Sequence, residues 1–173
     1  MTITTDSPRT NHQIGQAFIT AGHAIFTLVG TGSRFTYKVN RKDPEPGSRY
    51  TQPTYFVALL TGSNNETDYS YLGLLDPTTG QVRLTKGSRM TPDAPAVKAI
   101  TWALPLIFAG KKMPPSFAIM HEGRCGRCGR TLTVPESIIT GFGPDCAEKM
   151  GLAFGPALPA VAAADLLDGA SFQ

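Results

Sequence analysis

The chain has 173 residues, 41% hydrophobic and 17% charged, with a formal net charge of +3. That balance supports a buried core and excludes wholesale disorder. No apolar run reaches the length of a membrane span, and Met1-Thr-Ile-Thr-Thr-Asp-Ser-Pro8 is too polar for a signal peptide.

Three cysteines is an odd number, and all fall within residues 125–146. Clustering of this kind fits metal binding in a reducing compartment better than a secreted disulfide framework, so the cytoplasm is expected. Residues 1–150 hold all 16 Lys and Arg against 11 Asp and Glu, a balance of +5, and beyond them come only Asp165 and Asp168. A mildly basic body permits a polyanion partner without demanding one.

In chain order, residues 1–13 read as a flexible polar leader and Ile14–Ala21 as one or two helical turns. Ala24–Val29 and Arg34–Val39 then read as a hairpin. In the second run Phe35, Tyr37 and Val39 alternate with Arg34, Thr36 and Lys38. Gly30-Thr-Gly32 is its turn and not a phosphate loop, because no helix follows. Residues 40–53 form a polar loop. Thr54–Leu60 is nearly continuous in apolar residues, as a central strand is. Asp68–Leu75 and Gln81–Thr85 flank a turn at Asp76–Gly80. A helix is predicted after Thr91-Pro-Asp93-Ala-Pro95. Val97, Ile100, Trp102, Leu104, Ile107 and Phe108 are its apolar residues, with Trp102 in the core. Pro105 is expected to kink or shorten it. Residues 14–115 thus form an antiparallel domain of about five strands with a C-terminal helix, and the fold class is α+β. The Ala- and Pro-rich residues 152–173 read as a tail.

The chemistry is concentrated in residues 116–151. The order His121-x3-Cys125-x2-Cys128-x17-Cys146 offers four nitrogen and sulfur ligands, the number Zn²⁺ takes in a tetrahedral site. The cysteines carry this expectation. His121 as fourth ligand competes with His23 or water, in which case His121 is a surface residue. Gly126 and Gly129 suit a knuckle turn, Thr131–Val134 a short strand, and Pro144–Met150 a helix with Cys146 in its first turn. That layout is expected for a treble-clef-like or ribbon-like zinc finger. The zinc deaminase pattern fails, because Glu122 adjoins His121 where that chemistry needs His-x-Glu. No nucleophile elbow, Walker motif or carboxylate pair is present, and no enzymatic activity is expected.

Arg124, Arg127 and Arg130 recur every third residue around the knuckle, with Lys149 in the closing helix. They suit phosphate contacts. Equally, they can neutralise three thiolates, or Arg130 can pair with Glu136 or Asp145. Arg34, Lys38, Arg41, Lys42, Arg83, Lys86 and Arg89 can form a basic sheet face, with Tyr37, Tyr55, Tyr69 and Tyr71 as stacking groups, although for each residue taken singly the favoured reading is that of any half-buried sheet, with aromatics inside and charges outside.

Cys125-Gly-Arg-Cys128-Gly-Arg-Thr-Leu-Thr133, Pro135-Glu-Ser137 and Gly141-Phe-Gly-Pro-Asp-Cys146 resemble a zinc-finger family of unknown function from bacteriophage and actinobacterial proteins. Upstream, Tyr55-Phe-Val57, Tyr71-Leu-Gly73 and Ala94–Trp102 resemble, more loosely, the N-terminal part of phage proteins that carry this finger. The resemblance implies a zinc site and a phage or mobile-element origin, hence the host-cell cytoplasm, and no defined activity. The expected function is nucleic-acid binding, DNA or RNA, as an accessory factor. Arg124, Arg127, Arg130, Lys149, Lys38 and Arg83 are its contacts. The alternative is an interaction module or inhibitor of a host or phage protein, for example in anti-defence, with zinc purely structural and the apolar tail as contact.

Overall fold

The structure is a computed structural model that describes residues 14–152. The expected leader lies outside the described residues, as does the tail beyond Leu152. A short helix, α1 (Gln16–Ile19), opens the described chain within the predicted segment. The predicted hairpin follows as β1 (His23–Gly30) and β2 (Ser33–Lys42), closed by Gly32 at φ 73°. Thr27 stands opposite Thr36, and their hydroxyls are hydrogen-bonded at 2.8 Å. Next come β3 (Thr54–Leu60), β4 (Tyr69–Leu75) and the two-residue β5 (Val82–Arg83). The Asp76 turn joins β4 to β5, with Asp76 Oδ1 accepting from the amides of Thr78 and Thr79.

The sheet has one strand more than the five expected. Ala118–His121 forms β6, antiparallel to β1 with Phe26 opposite His121, and the strand order is β5-β4-β3-β2-β1-β6. Four residues without strict alternation gave no strand signal, so only pairing with the free edge of β1 defines them.

Strand alternation divides the side chains cleanly between two faces. One face carries Phe26, Leu28, Tyr37, Val39, Tyr55, Val57 and Leu59, all buried. It is covered by α2 (Pro95–Phe108), which turns Ala96, Val97, Ile100, Ala103 and Leu104 inward. The Tyr37 hydroxyl donates to the Ala96 carbonyl at 2.6 Å and ties helix to sheet. Tyr37 and Tyr55 are therefore core residues, as the half-buried-sheet reading has them, and not stacking groups. Pro105 does not end the helix, which continues to Phe108 although a proline has no amide to donate. Trp102 is a further correction. It is 40% exposed and packs on Phe117 at a ring-centroid distance of 4.8 Å.

Among the described residues, no helix lies over the opposite face. Cross-strand register puts Arg83, Leu74, Phe56 and Asn40 in one row and Tyr71, Ala58 and Lys38 in the next. A register shift at Val57/Ala58 lets Tyr71 share this face while Leu72 stays buried.

Candidate metal centre

Beyond β6 the chain turns at Gly123 (φ 81°) into the knuckle. The Cys125 amide donates to the Arg130 carbonyl and the Gly129 amide to the Cys125 carbonyl, each at 2.9 Å. The strand expected at Thr131–Val134 reduces to a single bridge between Arg124 and Thr131. Two short helices follow, α3 (Pro135–Thr140) and α4 (Pro144–Lys149), with Cys146 on the second.

The knuckle and α4 bring Cys125, Cys128 and Cys146 together with their sulfurs all within 4.8 Å of one another. Cys125 and Cys146 are buried and Cys128 is exposed. A tetrahedral ion with Zn–S bonds of about 2.3 Å needs sulfur separations of about 3.8 Å, so small side-chain adjustments suffice to hold a metal ion. The surroundings act in opposite directions on the two buried sulfurs. Burial pushes the Cys125 thiol up, but the backbone amides of Cys128, Gly143 and Arg127 outweigh it, leaving it below its ordinary range. Burial and then the neighbouring Cys128 side chain raise Cys146, while Arg127 opposes them. Arg127 Nη1 reaches Cys146 Sγ at 3.9 Å. The three residues could therefore hold a metal ion, and a divalent cation would relieve the mutual opposition of their thiolates. The sulfurs border a cavity of about 190 Å³, shared with Arg130, Ser137 and Asp145.

His121, expected as the fourth ligand, does not join the three sulfurs. It is 2% exposed, and both ring nitrogens are engaged elsewhere. Nδ1 accepts from the Gly123 amide at 3.0 Å, and Nε2 stands 2.6 Å from the Ile138 carbonyl. The ring braces β6 against α3. His23 lies against the knuckle. Its amide donates to the Gly126 carbonyl at 2.7 Å, and its ring stands 2.8 Å from where a Gly129 Cβ would be.

The basic residues separate into groups. Arg127 serves a sulfur. Arg124 is ion-paired with Glu66 at 3.5 Å and Glu122 at 3.3 Å. Arg130 and Lys149 are exposed, and no ion pair links Arg130 to Glu136 or Asp145 among the described residues. Lys38 and Arg83 belong to the open sheet face, Arg83 on the edge strand β5. Lys38 Nζ sits 3.9 Å from the centre of the Tyr69 ring and donates to the Glu66 carbonyl at 3.3 Å.

Two sets of residues escaped the sequence reading. Phe18 of α1 packs against His121 and Phe142, with ring centroids at 5.6 and 5.8 Å, and fixes the knuckle to the sheet. A lone aromatic in a four-residue helix gives no periodic signal. Tyr50 and Phe56 line an open cavity on the uncovered sheet face. One helix after five strands can cover one face only, and that count was the available signal.

No helix among the described residues is long and apolar enough to cross a membrane. Comparison with curated proteins and with solved structures gives no match. Residues 117–151, from just before β6 to just beyond α4, match a family of unknown function, DUF6011.

Proposed function

We propose that the three cysteines hold Zn²⁺ as a structural centre and that the chain binds nucleic acid through a surface running from the knuckle onto the open sheet face. Bound zinc would supply a fixed positive crosslink between knuckle and α4, in a treble-clef-like arrangement, and would take no part in a reaction.

One observation carries the binding reading. Glu66 connects finger and sheet, taking Arg124 on its carboxylate and Lys38 on its carbonyl, so that the cations of both parts lie on one surface. Tyr69 lies at the same junction. Burial and then the Glu122 carboxylate raise its phenol, and Arg124 opposes them. Exposed Arg130 and Lys149 extend the basic character beyond the knuckle, and Arg34 and Lys42 extend it along β2. Such a protein suits an accessory role in phage DNA or RNA metabolism in the host cytoplasm.

The test is a titration of the zinc-loaded protein with single-stranded DNA, duplex DNA and RNA at several salt concentrations. Affinity that falls steeply with salt is expected, with a slope reduced by about one on losing one phosphate-contacting cation. Absence of binding to all three at low salt overturns the reading.

One observation favours a second reading, an interaction module for a host or phage protein. Trp102 and Phe117 form an exposed aromatic pair. Trp is a frequent anchor of protein interfaces. If the titration fails, Trp102→Ala in a pull-down with a candidate partner is the next measurement.

A further inference from the structure

The uncovered sheet face holds a cavity of about 470 Å³ between β3, β4 and the loop after β2. That volume lies within the range of small-ligand pockets. Its floor is aromatic. Phe56 and Tyr71 stand with ring centroids 6.3 Å apart at an interplanar angle of 54°. Tyr50 reaches over from the loop and is 66% exposed, while Phe56 on the strand is 38% exposed. The Tyr71 ring is held in place, because its hydroxyl accepts from Thr85 Oγ1 at 3.2 Å. Gln52, Thr54, Asp43 and Glu45 supply polar groups at the wall.

Charge decides what fits. Both acids at the cavity engage cations, Asp43 with Arg41 at 2.7 Å and Glu45 with Lys42 at 3.4 Å. Paired carboxylates at the mouth make the cavity itself a poor place for a phosphate. Outside it, Arg34 and Lys38 lie four residues apart on the open face of β2, about 13 to 14 Å apart along the strand. A flat, neutral, aromatic group with polar edges suits the cavity, and a polyanionic backbone suits the strand beside it. A single-stranded nucleic acid offers both parts, an unstacked base and a polyanionic backbone. A duplex keeps its bases stacked inside and cannot offer one.

We infer that the cleft between Tyr50, Phe56 and Tyr71 receives an unstacked base of single-stranded DNA or RNA, whose phosphates lie along Lys38 and Arg34. This rests on the nucleic-acid reading above and names the site and the strand state. Phe56 and Tyr71 form the stacking platform, and Tyr50 closes over the base.

The experiment uses the full chain loaded with zinc. The probes are 12-nucleotide DNA and RNA strands carrying 2-aminopurine at the centre, each alone and annealed to its complement. Stacking on the aromatic floor quenches the probe, so binding of the single strands is expected to lower its fluorescence, with the duplexes binding more weakly. The DNA and RNA arms show which backbone is preferred. Phe56→Ala is expected to weaken single-strand binding about 10-fold to 100-fold and abolish the quench, with the salt slope unchanged. Lys38→Ala should reduce the slope and keep the quench. Tyr50→Ala lies on an exposed loop and leaves the core intact, so it tests the cleft even where Phe56→Ala fails to fold. Single strands that bind without quenching, and bind Tyr50→Ala and Phe56→Ala as they bind the parent, overturn the cleft and leave nucleic-acid binding standing. Equal binding of duplexes overturns it too. No binding by any probe at low salt removes both.

Discussion

The ring of Phe18 occupies the space that a side chain at Gly141 would need. A Cβ there would stand 2.6 Å from Phe18 Cδ2, and one at Gly126 would stand 2.8 Å from the same atom. The knuckle and the end of α3 can close on α1 only because both positions are glycine. Gly141 also has φ 78°, where any other residue is strained. Gly141→Ala is therefore expected to destabilise the chain by about 2 to 4 kcal/mol through overpacking and backbone strain. Phe18→Ala alone is expected to cost about 3 to 5 kcal/mol. Because the clash requires both groups, the double variant should be more stable than the sum of the single effects predicts. Chemical denaturation of the four chains measures this, and strict additivity would place the strain elsewhere.

Metal removal should act locally. The sheet is packed around Tyr37, Val57, Leu72 and Ile100, whereas the knuckle and the two short helices join that core through Phe18 and Phe142 and otherwise close over three sulfurs. One zinc per chain is expected, lost with chelator or with Cys125→Ser or Cys146→Ser. Hydrogen exchange should then speed up across residues 123–151, while β1 to β4 keep their protection. A chain that holds no zinc, or whose sheet unfolds together with the finger, contradicts this picture.

Arg127 should separate from the other finger cations. Its guanidinium contacts the Cys146 sulfur, so Arg127→Ala is expected to lower zinc affinity. Arg130→Ala and Lys149→Ala leave the sulfurs untouched and should change nucleic-acid affinity alone. Competition with a chromophoric chelator measures the first effect. Equal zinc affinity in all three variants removes the role assigned to Arg127.

Much of this organisation was legible in the residues, because its signals are local. The Cys-x2-Cys spacing, the alternation in Arg34–Val39 and the prolines before α2 each act within a few residues. What was not legible depends on where distant segments meet. Nothing local distinguishes Phe56 from Val57 in a continuous apolar strand, since only the single helix decides which face is covered. Trp102 falls on the helical apolar pattern, yet it lies on the outer side of α2, where Phe117 meets it. His121 reads as a ligand by spacing, and only the pairing of β6 with β1 shows it turned into the core.

Tyr37 links the sheet to α2, and its chemistry gives the protein an alkaline limit. Burial raises its phenol well above the ordinary value near pH 10. The folded state therefore keeps the proton where the unfolded state has begun to release it. This contribution is complete below about pH 10 and declines as pH rises above it. Tyr37→Phe should lose about 1 kcal/mol with the Ala96 hydrogen bond and should show a shallower alkaline decline. Denaturant midpoints between pH 8 and 11 check both, and parallel curves would assign the alkaline limit to another group.

His121 sets the corresponding acid limit. Its Nδ1 accepts from the Gly123 amide, so the single ring proton belongs on Nε2, donating to the Ile138 carbonyl. The neutral ring satisfies both partners. A second proton would set Nδ1–H against the Gly123 N–H. Burial lowers the ring's affinity for that proton, and the Ile138 bond opposes only part of the effect. The unfolded histidine takes up a proton below about pH 6.5 while the folded one resists, so this stability is complete above that pH and declines as pH falls. His121→Ala should cost about 2 to 4 kcal/mol at pH 7.5, from two lost hydrogen bonds and a cavity. It should flatten the decline between pH 6.5 and 5, and it should retain one zinc per chain. Both chains share the same cysteines, so the difference in slope belongs to His121 and not to thiolate protonation. A folded His121→Ala chain that has lost its zinc would make the histidine a ligand after all.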